Sequence, residues 1–236
     1  MKVELVSCTK PAGKLSESDV KDVKDLIAYC ARVSNPANQM NTKTTDKLLR
    51  YLKKHRHWSP FEMADVTLEI ETTRDIARQM LRHRSFSFQE FSQRYSNVEA
   101  LGEMFELSEV RLQDDKNRQN SVEVDDNVLQ RWWENQQKEI ADACFSAYKL
   151  ALHRGVAKEV ARKILPEGLT RSRIFMKGSI RSWIHYLEVR GPDSGTQKEH
   201  MMVAEQVAKA IAAVFNIEEA QDEKVVVGGH AAGGVQ

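Results

Sequence analysis

The stretch DVTLEIETTRDIARQMLRH, residues 65–83, changes its hydrophobic period partway along. From Asp65 to Glu71 polar and apolar residues alternate strictly, the pattern of a half-buried strand. Thr72 and Thr73 then supply a helix cap, and Ile76, Ala77, Met80 and Leu81 recur at helical spacing through His83. In that helix Gln79, Arg82 and His83 fall at i, i+3 and i+4, so one face is expected to present all three. A strand running directly into a helix makes this a mixed fold.

Working outward, Val3 and Leu5 alternate as in a short strand, and residues 19–33 place Val20, Val23, Leu26, Ile27, Cys30 and Ala31 on one helical face. Further helices are expected over 45–54, 127–152, 156–165, 179–189 and 197–215, with Pro166 stopping the one over 156–165. The helix over 127–152 carries Leu129, Trp132, Trp133, Ile140, Ala143, Ala147 and Tyr148. Trp132 and Trp133 are adjacent and cannot both face the core; one is expected to pack inward and the other to meet a partner. Residues 102–127 are polar with few apolar anchors, which suggests a lid or mobile loop. Helices outnumber strands, and α+β is the class these patterns support. Residues 1–218 are expected to form one domain and residues 219–236 a flexible C-terminal tail.

Of 236 residues, 35 are Lys or Arg and 34 are Asp or Glu. A net charge of +1 gives no whole-protein attraction to a nucleic-acid polymer or a membrane, so neither is an expected partner. No stretch approaches the roughly 18 to 20 apolar residues that cross a bilayer, and MKVELVSCTK lacks a secretory h-region; a cytoplasmic protein is expected. Cys8, Cys30 and Cys144 have neither disulfide nor zinc spacing, and read as buried packing residues in a reducing compartment. His55, His57, His83 and His185 lack acidic or thiol companions at ligand spacing, so no metal is expected. His153 and His200 read as surface or internally satisfied histidines.

Charge is unevenly placed. Between Arg162 and Arg190 seven basic residues face two acidic ones, interleaved with Ile164, Ile174, Phe175, Ile180, Trp183 and Leu187. Guanidinium groups on a partly buried face suit phosphate or carboxylate, because their fork matches two oxygens. The densest segment is RHRSFSFQEFSQRY, residues 82–95, in which Phe86, Phe88 and Phe91 can pack inward and hold the polar groups outward. By composition alone this is an aromatic-anchored surface loop or an anion site. Basic stretches interleaved with aromatics also suit a nucleic-acid module, against which stand the neutral charge and the lack of a matching signature.

RHRSFSFQEFSQRY resembles the signature of the flavin-dependent thymidylate synthases. CARVSNP (30–36), HRHWSPFE (55–62), KEVARKILP (158–166) and SIRSWIHYLEVR (179–190) resemble that family in the same order. The resemblance implies a helix-rich single domain around a small, mainly antiparallel sheet. It also implies methylation of dUMP to dTMP, with methylenetetrahydrofolate giving the carbon and NADPH the reducing equivalents through FAD. By the same resemblance His57, Ser59, Arg82, His83, Arg84, Glu90, Ser179, Arg181 and His185 bind the flavin. Gln79, Arg82, Glu90, Ser92, Arg94, Arg162 and Arg190 bind dUMP, and Arg190 activates the uracil ring as the catalytic residue, without a cysteine nucleophile. A homotetramer with sites at subunit interfaces is implied as well.

Overall fold

The computed structural model describes residues 1–216; the expected tail, 219–236, and the end of the expected domain lie outside the described residues. In chain order the elements are β1 (Lys2–Cys8), α1 (Val23–Ala31), α2 (Thr45–Lys54), β2 (Asp65–Thr73), α3 (Arg74–Met80), β3 (Ser87–Glu90), β4 (Arg111–Gln113), β5 (Ser121–Glu123), α4 (Asn127–His153), α5 (Lys158–Ala161), β6 (Arg171–Ser179), α6 (Ile180–Arg190) and α7 (Lys198–Ala212). This is the α+β, helix-rich architecture around a small antiparallel sheet that the sequence led us to expect.

Strands β1, β2, β6 and β3 pair in that order, all antiparallel. Alternation along β2 sends Val66, Leu68 and Ile70 into the core, where Leu68 and Ile70 sit opposite Met176 and Ile174 of β6. The other face carries charge: Arg173 Nη2 donates to Glu71 Oε1 at 2.7 Å, and Lys177 pairs with Asp65 at 2.9 Å. The apolar face is covered by Ile27, Leu49, Phe61, Ile76, Met80, Trp183, Tyr186, Val203, Val207 and Ile211. The Trp183 indole N–H, fully buried, donates to the Val66 carbonyl at 3.1 Å and so avoids an unpaired donor in the core.

Three expectations are corrected. Strand β6, the inner partner of both β2 and β3, lies inside what reads as a basic run: its outward Arg171, Arg173 and Lys177 mask the inward Ser172, Ile174, Met176 and Gly178. Segment 102–127 is not a structureless lid; it holds the β4–β5 hairpin, with Arg111 bonded to Glu199 at 2.6 Å and Lys198 to Glu109 at 2.7 Å. Few apolar anchors were needed, because ion pairs to α7 hold it. The three cysteines are half-buried rather than buried. Cys8 belongs to edge strand β1, and Cys144 to α4, of whose residues only Gln137, Ala141 and Tyr148 are buried.

On helix α4 the two tryptophans differ in exposure, but neither is in the core. Trp132 is 54% exposed, while Trp133 is half-buried and lines a 410 Å³ cavity with Gln136, Gln137 and Ile140. Val128, Ile140 and Leu150 add to the apolar surface left uncovered on one chain. The expected helix over 156–165 shortens to α5 and a single 3-10 turn, Arg162–Ile164. Among the described residues no helix is long and apolar enough to cross a membrane.

Candidate active site

Helix α3 starts where β2 ends. Thr73 occupies the cap position, but its hydroxyl bonds to Asp75 Oδ1 at 2.5 Å instead of to a free helix N–H; the Arg74 N–H donates to the Thr170 carbonyl instead. The helix ends at Met80, so Arg82 and His83 lie in the following turn, and the expected three-residue helical face is not formed as such. Gln79 and His83 still meet, through α6 and α7. Arg82 stays exposed beside them.

The meeting point is built by Gln79, His83, Tyr186, Arg190, Thr196, Gln197 and His200. Arg190 Nε donates to His83 Nε2 at 3.2 Å, and its Nη1 to Thr196 Oγ1 at 3.2 Å. His200, fully buried, lies 3.1 Å from Gln79 Oε1 through Nδ1 and 3.1 Å from the Tyr186 hydroxyl through Nε2. Burial, then the Arg190 cation, push the His200 pKa down to about 3. Burial followed by Arg190, His185 and Arg82 push His83 down to about 4, so both rings are neutral near pH 7. Burial raises the Tyr186 phenol above its ordinary value and keeps it a donor. The reading of His200 as a satisfied histidine holds, yet it stands inside the site. Its 121-residue separation from Gln79 left no local signal for that placement.

A second feature is a cleft of about 640 Å³ lined by Arg56, Trp58, Glu62, Ser85, Arg181, Ser182, His185 and Glu188. Arg181 and His185, both expected at a flavin, line it directly. His57 and Ser59 flank Trp58, and Arg84 precedes Ser85; all three are exposed at its edge. Arg181 bonds to Glu62, and Ser182 Oγ donates to the Ser85 carbonyl at 3.2 Å. Ser179 caps α6, its hydroxyl accepting the Ser182 N–H at 3.2 Å, so it shapes the cleft wall from below. Arg56 is the one non-glycine among the described residues with positive φ, 57°, a local strain placed at the cleft rim. Gly178 is required here by close approach: a Cβ would meet Phe86 Cδ1 at 2.4 Å, and Phe86 carries the 83–86 segment onto the sheet.

The third group is basic. A hollow of about 170 Å³ is lined by Arg74, Arg78, Gln93, Arg162, Lys163, Leu165 and Glu167. Burial, the largest cause, pulls the Arg74 pKa down while Glu90 opposes it, and Arg74 Nη1 lies 3.6 Å from Glu90 Oε1. Glu90 also accepts from Ser172 at 2.9 Å. Gln93 is 3% exposed and its Nε2 has no partner among the described residues. Four cations, one carboxylate and an unsatisfied amide donor form a place for an anion. Arg74, Arg78 and Gln93 were not singled out in the sequence, although Arg74 and Arg78 lie within 65–83 and Gln93 within 82–95. Arg94 is turned to Glu159 at 3.3 Å, and the Ser92 hydroxyl accepts only the Arg94 N–H, at 3.4 Å. No hydrogen bond or ion pair among the described residues joins Glu90, Ser92, Arg94 or Arg162 to the Gln79–Arg190 group.

Cys8, Cys30 and Cys144 contribute to none of the three groups. Among the described residues no cluster of three or more His, Cys, Asp or Glu could hold a metal ion.

Residues 15–216 match the family model described as thymidylate synthase complementing protein. A probable flavin-dependent thymidylate synthase of Paramecium bursaria Chlorella virus 1 is 48% identical over 204 residues, 86% of this chain and 90% of that protein. The flavin-dependent thymidylate synthase of Synechocystis sp. is 50% identical over 204 residues, 86% of this chain and 91% of its own length. Among solved structures, a UMP/dUMP methylase from Streptomyces cacaoi bound with 5-Br UMP is 29% identical with a TM-score of 0.74, covering 90% of this chain and 89% of that one. The chain belongs to the flavin-dependent thymidylate synthase family.

Proposed function

We propose that this protein converts dUMP to dTMP, taking the carbon from methylenetetrahydrofolate and the reducing equivalents from NADPH through FAD. Flavin-dependent thymidylate synthase activity is the function its family and its relatives carry. The observation that carries the residue assignment is the guanidinium of Arg190, fixed on one side by His83 and Thr196, with Nη2 unpartnered among the described residues. A cation held in this way stabilises negative charge that develops on the pyrimidine, favouring its deprotonated or enolate-like form; such preorganised charge is often the largest single term in catalysis. No described cysteine accompanies it, which supports activation of the ring by charge rather than by a thiol nucleophile.

The basic hollow of Arg74, Arg78 and Arg162 suits the nucleotide phosphate, with Glu90, 3.6 Å from Arg74, and Ser92 and Arg94 as further dUMP contacts. The 640 Å³ cleft fits a flavin in size and donor set: Trp58 offers a ring to stack, Arg56 and Arg181 offer cations for phosphates, and Ser85 and His185 offer polar contacts. His57, Ser59, Arg82, His83, Arg84 and Ser179 are further proposed flavin contacts, of which His57, Ser59 and Arg84 neighbour lining residues in sequence. When bound, the flavin supplies two-electron transfer between NADPH and the nucleotide. Separation of the phosphate hollow from the Arg190 group, together with the open apolar face of α4, supports a homotetramer whose sites form between chains. A cytoplasmic location, where the reductant and folate are found, completes the reading.

The test is anaerobic incubation of the purified protein with FAD, NADPH, dUMP and methylenetetrahydrofolate, with dTMP measured by chromatography. Product that disappears when FAD or NADPH is omitted supports the reading. Flavin reduction by NADPH without dTMP refutes dUMP as the acceptor.

A further inference from the structure

Between the buried core and the β4–β5 hairpin runs a chain of hydrogen bonds whose direction is set at one end. Arg111 Nη2 donates to Glu199 Oε1 at 2.6 Å, and Glu199 Oε2 accepts from Gln197 Nε2 at 2.9 Å. A carboxylate bound to arginine only accepts, so Gln197 must turn its nitrogen toward Glu199 and its oxygen away. That oxygen faces Gln79 at 2.8 Å, which requires the Gln79 nitrogen on this side and its oxygen on the other. The Gln79 oxygen faces His200 Nδ1, which must then carry the proton, and His200 Nε2 is left to accept the Tyr186 O–H. Each step follows from the donor and acceptor inventory of the groups.

We infer that His200 is a positioning residue: held as the Nδ1–H tautomer by Tyr186 on one side and, through Gln79, Gln197 and Glu199, by Arg111 on the other, it locks the Gln79 amide with its NH2 toward the open side of the site, so that Gln79 meets the nucleotide as a donor. The inference rests on the reading of Gln79 as a dUMP contact. Its structural basis is the asymmetry of burial: the Gln79 oxygen is tied to a fully buried ring, while its nitrogen lies with exposed Gln197, where a ligand can reach the remaining N–H. An amide left free to flip presents an acceptor half of the time and loses the bond to an acceptor on the nucleotide. Because His200 is neutral and enclosed, its tautomer is not averaged by water. Arg111 thereby gives the hairpin a second task besides its own docking.

The relay is tested with the flavin-loaded full chain and dUMP. In His200→Leu, dUMP affinity by equilibrium titration and KM should weaken about tenfold, with kcat within about twofold, the pattern of lost uniform binding. His200→Gln, whose amide donates and accepts at the same two places, should restore most of that affinity. Tyr186→Phe removes the proton that Nε2 accepts but keeps the bond to Gln79; by loosening the ring it should weaken dUMP, though less than His200→Leu, and the double variant should add little to His200→Leu. Nitrogen NMR of the labelled histidine should show the neutral Nδ1–H form in the parent protein and in Tyr186→Phe, where the Gln79 oxygen still requires that proton. An Nε2–H tautomer in the parent overturns the relay, and unchanged dUMP affinity in both Tyr186→Phe and His200→Leu overturns its role. If His200→Leu does not fold, Tyr186→Phe and the tautomer decide the matter alone. Parent protein that shows the Nδ1–H form yet fails to bind dUMP refutes the substrate reading and leaves the relay standing.

Discussion

Arg190 Nε donates a hydrogen bond to His83 Nε2 at 3.2 Å, across 107 residues of sequence. Arginine never accepts, so His83 must be neutral with its proton on Nδ1, and burial and the adjacent cation both hold it so. One histidine therefore aims one arginine, and protonation of the first would repel the second.

Arg190→Ala should reduce dTMP formation by a factor on the order of 100 or more, about 3 kcal/mol, the usual scale for removing a preorganised charge-stabilising donor. Flavin content should be retained. Arg190→Lys should recover little, because one ammonium lacks the fork that reaches His83, Thr196 and a ligand together. A folded, flavin-loaded Arg190→Ala enzyme with parental dTMP output would end the charge-activation argument.

Acidification should destabilise the fold in a defined window. His83 and His200 have folded pKa values pushed down to about 4 and about 3, against an ordinary value of 6.5. The unfolded chain then binds protons that the folded chain excludes, so the stability they contribute is complete above pH 6.5 and drains as pH falls toward 4 and 3. The facing charges are Arg190, Arg82 and His185, with no carboxylate among the described residues in hydrogen-bond contact with either ring. Thermal denaturation of His200→Gln across pH 7 to pH 4 should show a shallower decline than the parent; an equal slope would remove His200 from the account.

Gly178→Ala should lower stability by about 1 to 3 kcal/mol, the typical cost of overpacking, because the new methyl meets the Phe86 ring. Phe86 anchors the turn bearing Arg84 and Ser85, so flavin retention should weaken in the same variant. Calorimetry with flavin absorbance after gel filtration checks both effects.

Arg162→Gln should weaken dUMP far more than deoxyuridine, since the hollow it shares with Arg74 and Arg78 is suited to an anion. Competition titrations with the two ligands separate a phosphate contact from a sugar or base contact. Equal losses for both would place Arg162 away from the phosphate.

Trp132→Glu with Ile140→Glu should shift sedimentation toward smaller species, because each places a charge on the open apolar face of α4. An unchanged species would move the subunit contact to another face.

Much of this protein was legible in order of residues. The alternation that makes β2 and the period change that starts α3 are local, and local periodicity survives in any window that contains it. Helix α2 over Thr45–Lys54 and α6 after its Ser179 cap are equally local. The spaced arginines and histidines of 82–95 and 179–190 include His83, Arg181, His185 and Arg190, which fall in the candidate site. What tertiary structure alone decided is whatever depends on a partner distant in sequence. β6 reads as a basic run until β2 and β3 on its flanks assign its two faces. The polar hairpin is docked by counter-ions that α7 supplies. His200 looks like any buried histidine until Gln79 and Tyr186 close on it and the direction of their hydrogen bonds fixes its proton. A sequence specifies its donors, acceptors and charges one by one, but which of them satisfy each other is a property of their distances, and those exist only once the chain has folded.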